Sequence, residues 1–303
     1  MSFELTILGS NSALPTSNRY PTAQVLEVPG RCFLIDCGEG TQIQLRRNKI
    51  NFSKIKHIFI SHLHGDHYYG LIGLISTMNL MGIKHDLHIY AHSDLKKLIE
   101  PQLDYIRGDM TVTPVFHPLN FKKQQTLFET NKLEVISFPV KHSMPTCGFL
   151  FREKPKPANI RKDMIKKYDI PIAEIRKIKA GADYETEDGT VIPNKDLTSP
   201  PPKPRSYAFC TDTAFHPPLA GIIQGVDLLY HEATFLEDLK ELAAKTLHST
   251  TKEAAEMAKL ANAGKLLVGH FSARFKNIVR FEGEAREVFP NSEAAVEGKT
   301  YII

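Results

Sequence analysis

The sequence predicts an α/β layered fold, with a sheet-on-sheet core flanked by helices. Three observations predict it. Short apolar runs bounded by turn residues recur along the chain, and apolar positions at helical spacing fall between them. The order also passes from hairpins early to strand–helix–strand repeats late. A content of 42% hydrophobic and 24% charged residues over 303 positions is enough to bury a sizeable core.

The elements follow in order. Phe3, Leu5 and Ile7 alternate with Glu4 and Thr6, and Gly9 stops the run. QVLEV (24–28) and RCFLID (31–36) flank Pro29-Gly30, a hairpin signal. IKHIFIS (55–61) reads as a buried strand. Leu71, Leu74, Ile75 and Met78 then repeat at helical spacing, as a helix packed on a sheet would require. Further strands are expected at 87–91, 132–140, 147–151, 206–212, 226–234 and 265–271. Thr250 and Glu253 form a capping box ahead of AAEMAKLA, with Gly264 as the expected stop.

Residues 152–204 break this pattern. They hold eight of the 19 prolines and neither histidine nor cysteine, and 152–179 carries ten Lys/Arg against four Asp/Glu. The domain reading is therefore a catalytic core of 1–151 and 205–303 with 152–204 inserted. Composition alone fits a solvated insertion or an arm that grips a polyanion.

Several classes are excluded. The stretch 71–83 is too short and too polar to span a bilayer, and the N-terminus has no signal-peptide pattern. Four scattered cysteines make no disulfide framework, so a cytoplasmic protein is expected. A net charge of +4 is too small to identify an anionic partner by itself.

The chemistry centres on HLHGDH, residues 62–67. His62 and His64 are two apart, so a turn can aim both at one ion. Asp66 and His67 would face a second point nearby. Each pair is incomplete, which predicts ligands elsewhere. His142, Asp212 and His270 each stand at the end of a predicted strand, and Asp212 has two oxygens with which to bridge. The sets are then His62, His64, His142 and Asp212 on one ion, and Asp66, His67, His270 and Asp212 on the other. Nitrogen-rich ligation without thiolate favours two Zn2+ per subunit, with Mn2+ or another divalent ion as the alternative.

HLHGDH resembles the signature of the metallo-β-lactamase superfamily. Within it, LGSNSALPTSNR, DCGEGTQ, HSMP, TDT, HEATF, HSTTKEAA and GHFSARF make the chain similar to the ribonuclease Z family over its whole length. The resemblance implies a four-layer αββα sandwich with an inserted projecting arm. It implies a two-metal endoribonuclease that removes the 3′ trailer of precursor tRNA, leaving a 3′-hydroxyl on the tRNA and a 5′-phosphate on the trailer. Asp66 would ligate metal and accept a proton. His248, oriented by Glu232, would protonate the leaving oxygen. Ser272, Arg274 and Arg19 would bind phosphate or RNA. The inserted arm would clamp tRNA, and a homodimer is expected. PTSNRY (15–20) departs from the family's P-x-K-x-R-N loop at Ser17 and Tyr20, which puts rejection of CCA-ended tRNA in question. The other readings are a hydrolase of the same fold acting on small phosphodiesters or thioesters, and an RNA-binding module with a structural metal site.

Overall fold

A computed structural model describes residues 3–105 and 110–303. The chain opens with β1 (Glu4–Gly9), β2 (Ala23–Val28), β3 (Arg31–Ile35), α1 (Thr41–Arg47), β4 (Ile55–Phe59), α2 (Gly65–Tyr68), α3 (Gly70–Leu80), β5 (Asp86–Ala91), α4 (Asp94–Asp104) and β6 (Thr113–Pro118). Then come β7 (Gln125–Glu129), β8 (Leu133–Pro139) and β9 (Cys147–Glu153). The insertion holds β10 (Asn159–Ile160), α5 (Lys162–Lys167), α6 (Ile172–Lys179), β11 (Tyr184–Glu185), β12 (Val191–Ile192), α7 (Asn194–Leu197) and β13 (Thr198–Ser199). The chain closes with β14 (Ser206–Cys210), α8 (Leu219–Ile222), β15 (Leu228–Glu232), α9 (Lys240–Thr246), α10 (Thr251–Leu260), β16 (Lys265–Gly269), α11 (Val279–Val288), β17 (Ser292–Ala294) and β18 (Thr300–Ile302).

Among the described residues, two seven-stranded sheets form, ordered β18-β1-β2-β3-β4-β5-β6 and β17-β16-β15-β14-β9-β8-β7. β3 to β6 run parallel, as do β14 to β17. The sheets face each other through aromatic rings. Phe59 of the first meets Phe149 and Phe151 of the second, each at 5.5 Å between centroids. On the outer face of the first sheet, Leu71, Leu74, Ile75 and Met78 of α3 pack with Leu45, Leu95 and Ile99 against Val25, Leu34, Ile58 and Ile89. On the other outer face, Ala254, Ala255 and Ala258 of α10 and Phe281 of α11 cover Leu229, Leu266 and Val268. Small alanines let that helix lie close to its sheet. This is the αββα sandwich.

The capping box forms as expected, with Thr250 accepting from the Glu253 N–H and Glu253 returning to Thr250. The stop differs. The helix ends at Leu260, and the left-handed residue is Asn262 at φ 47°, not Gly264. Gly264 serves close approach, since a Cβ there would lie 2.7 Å from the Asp227 carbonyl oxygen.

Two compact units are distinct: Met1–Phe128 with Val135–Phe151 and Arg205–Ile303, and Glu129–Glu134 with Arg152–Pro204. The second has a small core of its own, Ile170, Ile178, Tyr184, Ile192 and Leu197. Its helices end on Lys166 and Lys167, and on Arg176, Lys177 and Lys179. No helix among the described residues is long and apolar enough to cross a membrane.

Candidate metal centre

β4 delivers the chain to the site and α2 turns it. His64 is extended (φ −70°, ψ 142°) just before the four-residue helix that carries Asp66 and His67. Glycines set how closely this turn approaches the loop after β3. A Cβ on Gly70 would lie 2.0 Å from the Gly38 carbonyl oxygen, and one on Gly38 would lie 2.5 Å from that of Asp66. The ends of three strands of the second sheet bring the other candidate ligands together. His142 follows β8, Asp212 follows β14 and His270 follows β16.

The seven residues form two constellations sharing Asp212. In the first, His62 Nε2 lies 3.0 Å from His64 Nδ1, and His142 Nε2 lies 3.4 Å from that same atom. Asp212 Oδ2 is 3.6 Å from His62 Nε2 and 3.7 Å from His142 Nε2. In the second, Asp66 Oδ2 is 3.3 Å from His67 Nε2 and 3.5 Å from His270 Nε2. Asp212 Oδ1 is 3.3 Å from His67 Nε2 and 3.1 Å from His270 Nε2. The carboxylate thus offers one oxygen to each group, as a bridging ligand must.

The outer partners decide which ring nitrogen is free. The Ser61 hydroxyl donates to Asp36 Oδ2 at 2.9 Å, so its lone pair accepts from His62 Nδ1–H at 3.0 Å. His67 Nδ1–H donates to Asp36 Oδ2 at 2.7 Å. His142 Nδ1–H donates to the Leu247 carbonyl at 3.0 Å. The Thr234 hydroxyl is committed to Glu232 Oε2 at 2.8 Å and accepts from His270 Nδ1–H at 2.9 Å. All four rings therefore carry hydrogen on Nδ1 and aim an Nε2 lone pair inward. The Nε2 atoms of His67 and His270 are buried without any hydrogen-bond partner. Such orphaned nitrogens beside two carboxylates fit a divalent cation. Burial opposes charge on His67, but Asp66, Asp212 and Asp36 outweigh it and pull its pKa well above the ordinary value. The field at this point therefore favours positive charge, which a metal ion supplies as well as a proton does.

Backbone strain gathers here too. Asp36 (φ 54°), Asp212 (φ 41°) and His270 (φ 60°) all lie in the left-handed region.

Glu232, at the end of β15, is buried, and its Oε1 lies 2.7 Å from His248 Nδ1. The N–H groups of Thr213 and Thr234 also donate to this carboxylate, at 3.0 and 2.9 Å. Burial opposes charge on His248, but Glu232 outweighs it and raises the pKa to about 9. The sequence reading placed His248 apart from the ligand sets. One of its ring nitrogens nevertheless lies within 4.8 Å of ligand atoms of Asp212 and His270. It therefore stands at the rim of the centre, with Nδ1 held by Glu232.

The loops expected to bind RNA divide. Arg19 is tied down on two sides. Its Nε donates to Asn11 Oδ1 at 2.8 Å, and one Nη donates to the Phe275 carbonyl at 2.8 Å. It ties the 11–19 loop to the 272–275 loop through neutral acceptors, which leave its charge in place. Arg274 is exposed and has no ion pair among the described residues, and the Ser272 hydroxyl accepts from the Arg274 N–H at 3.4 Å. Tyr20, where the family pattern has asparagine, accepts from Arg47 through its hydroxyl at 2.9 Å. Sequence reasoning missed Ala13, whose N–H donates to Asp66 Oδ2 at 2.8 Å, and Thr234. No local signal marks either, because both act through contacts distant in sequence.

Residues 3–167 match the family model described as Anti-Pycsar protein Apyc1. A protein of Phocaeicola vulgatus named Ribonuclease Z is 46% identical over 295 residues, covering 97% of this chain and 96% of the relative. One from Bacteroides fragilis is 44% identical, covering 97% of each. The crystal structure of human tRNase Z, short form, matches with a TM-score of 0.71 at 25% identity, covering 98% of each chain. On these identities over nearly its full length the chain belongs to the ribonuclease Z family, and through residues 3–167 to the family that the Apyc1 model describes.

Proposed function

We propose that this protein is the endoribonuclease that cuts precursor tRNA on its 3′ side and releases the trailer. The observation that carries the reading is the double ligand cluster sharing Asp212, with a Glu232-held His248 at its rim, in a chain 46% identical to a ribonuclease Z.

His62, His64, His142 and Asp212 would hold one Zn2+, and Asp66, His67, His270 and Asp212 the other, with Mn2+ or another divalent ion as the alternative. Such ions, when bound, neutralise phosphodiester charge and lower the pKa of water. The chain's own groups supply the proton movements. Asp66 takes a proton from the attacking water, while the Ala13 N–H and His67 keep its carboxylate aimed inward. His248 is cationic at neutral pH and shares Nδ1–H with Glu232, so its Nε2–H is the proton given to the leaving 3′-oxygen. The products are a tRNA 3′-hydroxyl and a trailer 5′-phosphate. Arg274 and Ser272 would meet a phosphate beside the centre.

The unit built on 152–204 would hold the tRNA body through Lys166, Lys167, Arg176, Lys177 and Lys179. The working form would be a cytoplasmic homodimer. Leu80, 87% exposed at the end of α3, and Tyr105, 93% exposed after α4, are apolar surface that a second subunit would cover.

Mapping the cut in one precursor that lacks an encoded CCA and one that carries it tests the reading. A cut after the discriminator nucleotide in the first supports it, and the second reports what Ser17 and Tyr20 change. The ligand cluster taken by itself also fits a second reading, hydrolysis of a small phosphodiester. Changing the five basic arm residues to glutamine separates the two. Precursor cleavage should fall far more than hydrolysis of bis-p-nitrophenyl phosphate, whereas equal behaviour favours the small substrate.

A further inference from the structure

The edge of the first sheet that carries the metal centre also carries a groove of about 570 Å³, lined by His92, Asn120, Phe121, Lys122, Gln125 and Pro145 among others. Its position follows from topology. β4, β5 and β6 are parallel neighbours, so their C-terminal ends share one edge. β4 runs into the His62–His67 turn, β5 into His92, and β6 into Asn120 and Phe121. Neighbouring strands lie about 4.8 Å apart, which sets the groove roughly 5–10 Å from the strand that delivers the ligands. On its other side, Pro145 follows the ligand His142 by three residues.

The lining has a definite chemistry. The Phe121 and His92 rings lie 5.4 Å apart at 34° and are only partly buried, so flat apolar faces remain open. Asn120 Oδ1 accepts from the Lys122 N–H, and Gln125 Oε1 accepts from the Asn120 N–H. Their NH2 groups have no protein partner among the described residues and remain as donors. Lys122 in the lining, and Lys123 and Lys141 outside it, are exposed without an ion pair among the described residues, and the carboxylate beside the lining is that of Asp94, 3.6 Å from His92 Nδ1. Aromatic faces, amide donors and unpaired ammonium groups suit a base, its edge and a phosphate. The volume takes roughly one or two nucleotides and excludes a duplex.

We propose that this groove receives the first unpaired nucleotides of the 3′ trailer, with a base stacked on Phe121 and His92 and a phosphate against Lys122. The inference rests on the precursor-tRNA reading above. Paired acceptor-stem RNA does not fit, and the trailer is the longer unpaired run beside the cut.

The test compares kcat/KM for the wild type and Phe121→Ala on two precursors sharing one tRNA body. One has its natural trailer, and the other has abasic sites at the first two trailer positions. Each change alone should cost about tenfold, and both together no more than either one. Phe121→Trp should restore the rate on the natural trailer, and an unchanged unfolding midpoint confirms that Phe121→Ala still folds. The proposal is overturned if Phe121→Ala cuts the natural precursor normally, if the wild type cuts the abasic precursor normally, or if the two losses multiply. A wild-type protein that cuts neither precursor refutes the parent reading, visibly apart from the groove, and removes the proposal with it.

Discussion

Two histidine clusters border the first sheet, and among the described residues only the one completed by His142 and His270 from the second sheet has Asp66 and Asp212 beside its ring nitrogens. In one half of the candidate metal centre the rings stand nearly perpendicular, 77° between His62 and His64, 76° between His62 and His142, and 88° between His64 and His142, whereas in the other half His67 and His270 are tilted by 40°. In the other cluster, His57 of β4 stacks on His88 of β5 at 5.0 Å and 15°, and His88 reaches His117 of β6 at 3.0 Å between nitrogens. Carboxylate oxygens of Asp66 and Asp212 stand 3.1–3.7 Å from ring nitrogens of the first cluster, whereas His57 and His88 oppose their faces. Burial lowers His62, His64 and His142 in the first cluster too, and the contrast is sharpest at His67. Carboxylates raise His67, while burial, and then His88, Arg31, His117 and Lys56, lower His57 to about 4. Histidine density therefore does not by itself mark a candidate metal site, and nearby carboxylates do.

This contrast can be broken or sharpened at four points. The largest effect is expected at the shared ligand. Asp212→Ala should bring precursor cleavage to background and empty both positions by elemental analysis, since outer-partner changes alone cost about 10–100-fold. Full metal content with normal cleavage would end the bridging assignment. Next, His248→Ala should slow cleavage by about 100- to 10,000-fold with metal content retained. Loss of metal instead would make His248 a ligand.

Asp36→Asn sharpens the comparison from the outer layer. Asp36 holds both Ser61 and His67, so metal affinity should weaken about 10–100-fold in a chelator titration, and an unchanged affinity would assign Asp36 to packing alone. The smallest effect concerns the stacked cluster. The folded pKa of His57 is depressed, so below about pH 6.5 the unfolded chain takes a proton that the folded chain refuses. Stability is thus lost as pH falls from about 6.5 towards 4 and then levels off. Urea midpoints at pH 7 and pH 5 should show His57→Phe narrowing the difference by about 1–2 kcal/mol, with metal content untouched. An identical pH dependence in both proteins would mean that the stack carries no acid sensitivity.

The candidate ligand set could be drawn from the sequence because each residue in it sits beside a strong local signal. HLHGDH is dense, and His142, Asp212 and His270 each follow an apolar run that can only be a buried strand. Thr113–Pro118 and Gln125–Glu129 were not read as strands, because proline, histidine and glutamine blur their alternation, and pairing with neighbouring strands decides them. The hydrogen bonds of Arg19 were not legible for a related reason. A free guanidinium and one spent on backbone carbonyls look identical in one dimension.

Residue type and periodicity alone pointed to side chains able to bind a cation, to their place at strand ends, and to a basic insertion at 152–204. Both are local. Only the tertiary structure decided that Asp212 divides its oxygens between two groups, that the inward nitrogen of four rings is Nε2, and that His248 reaches the rim while His57, His88 and His117 stack uselessly for a metal. Those outcomes depend on angles between rings carried by separate strands, and no spacing along one chain encodes an angle across a sheet.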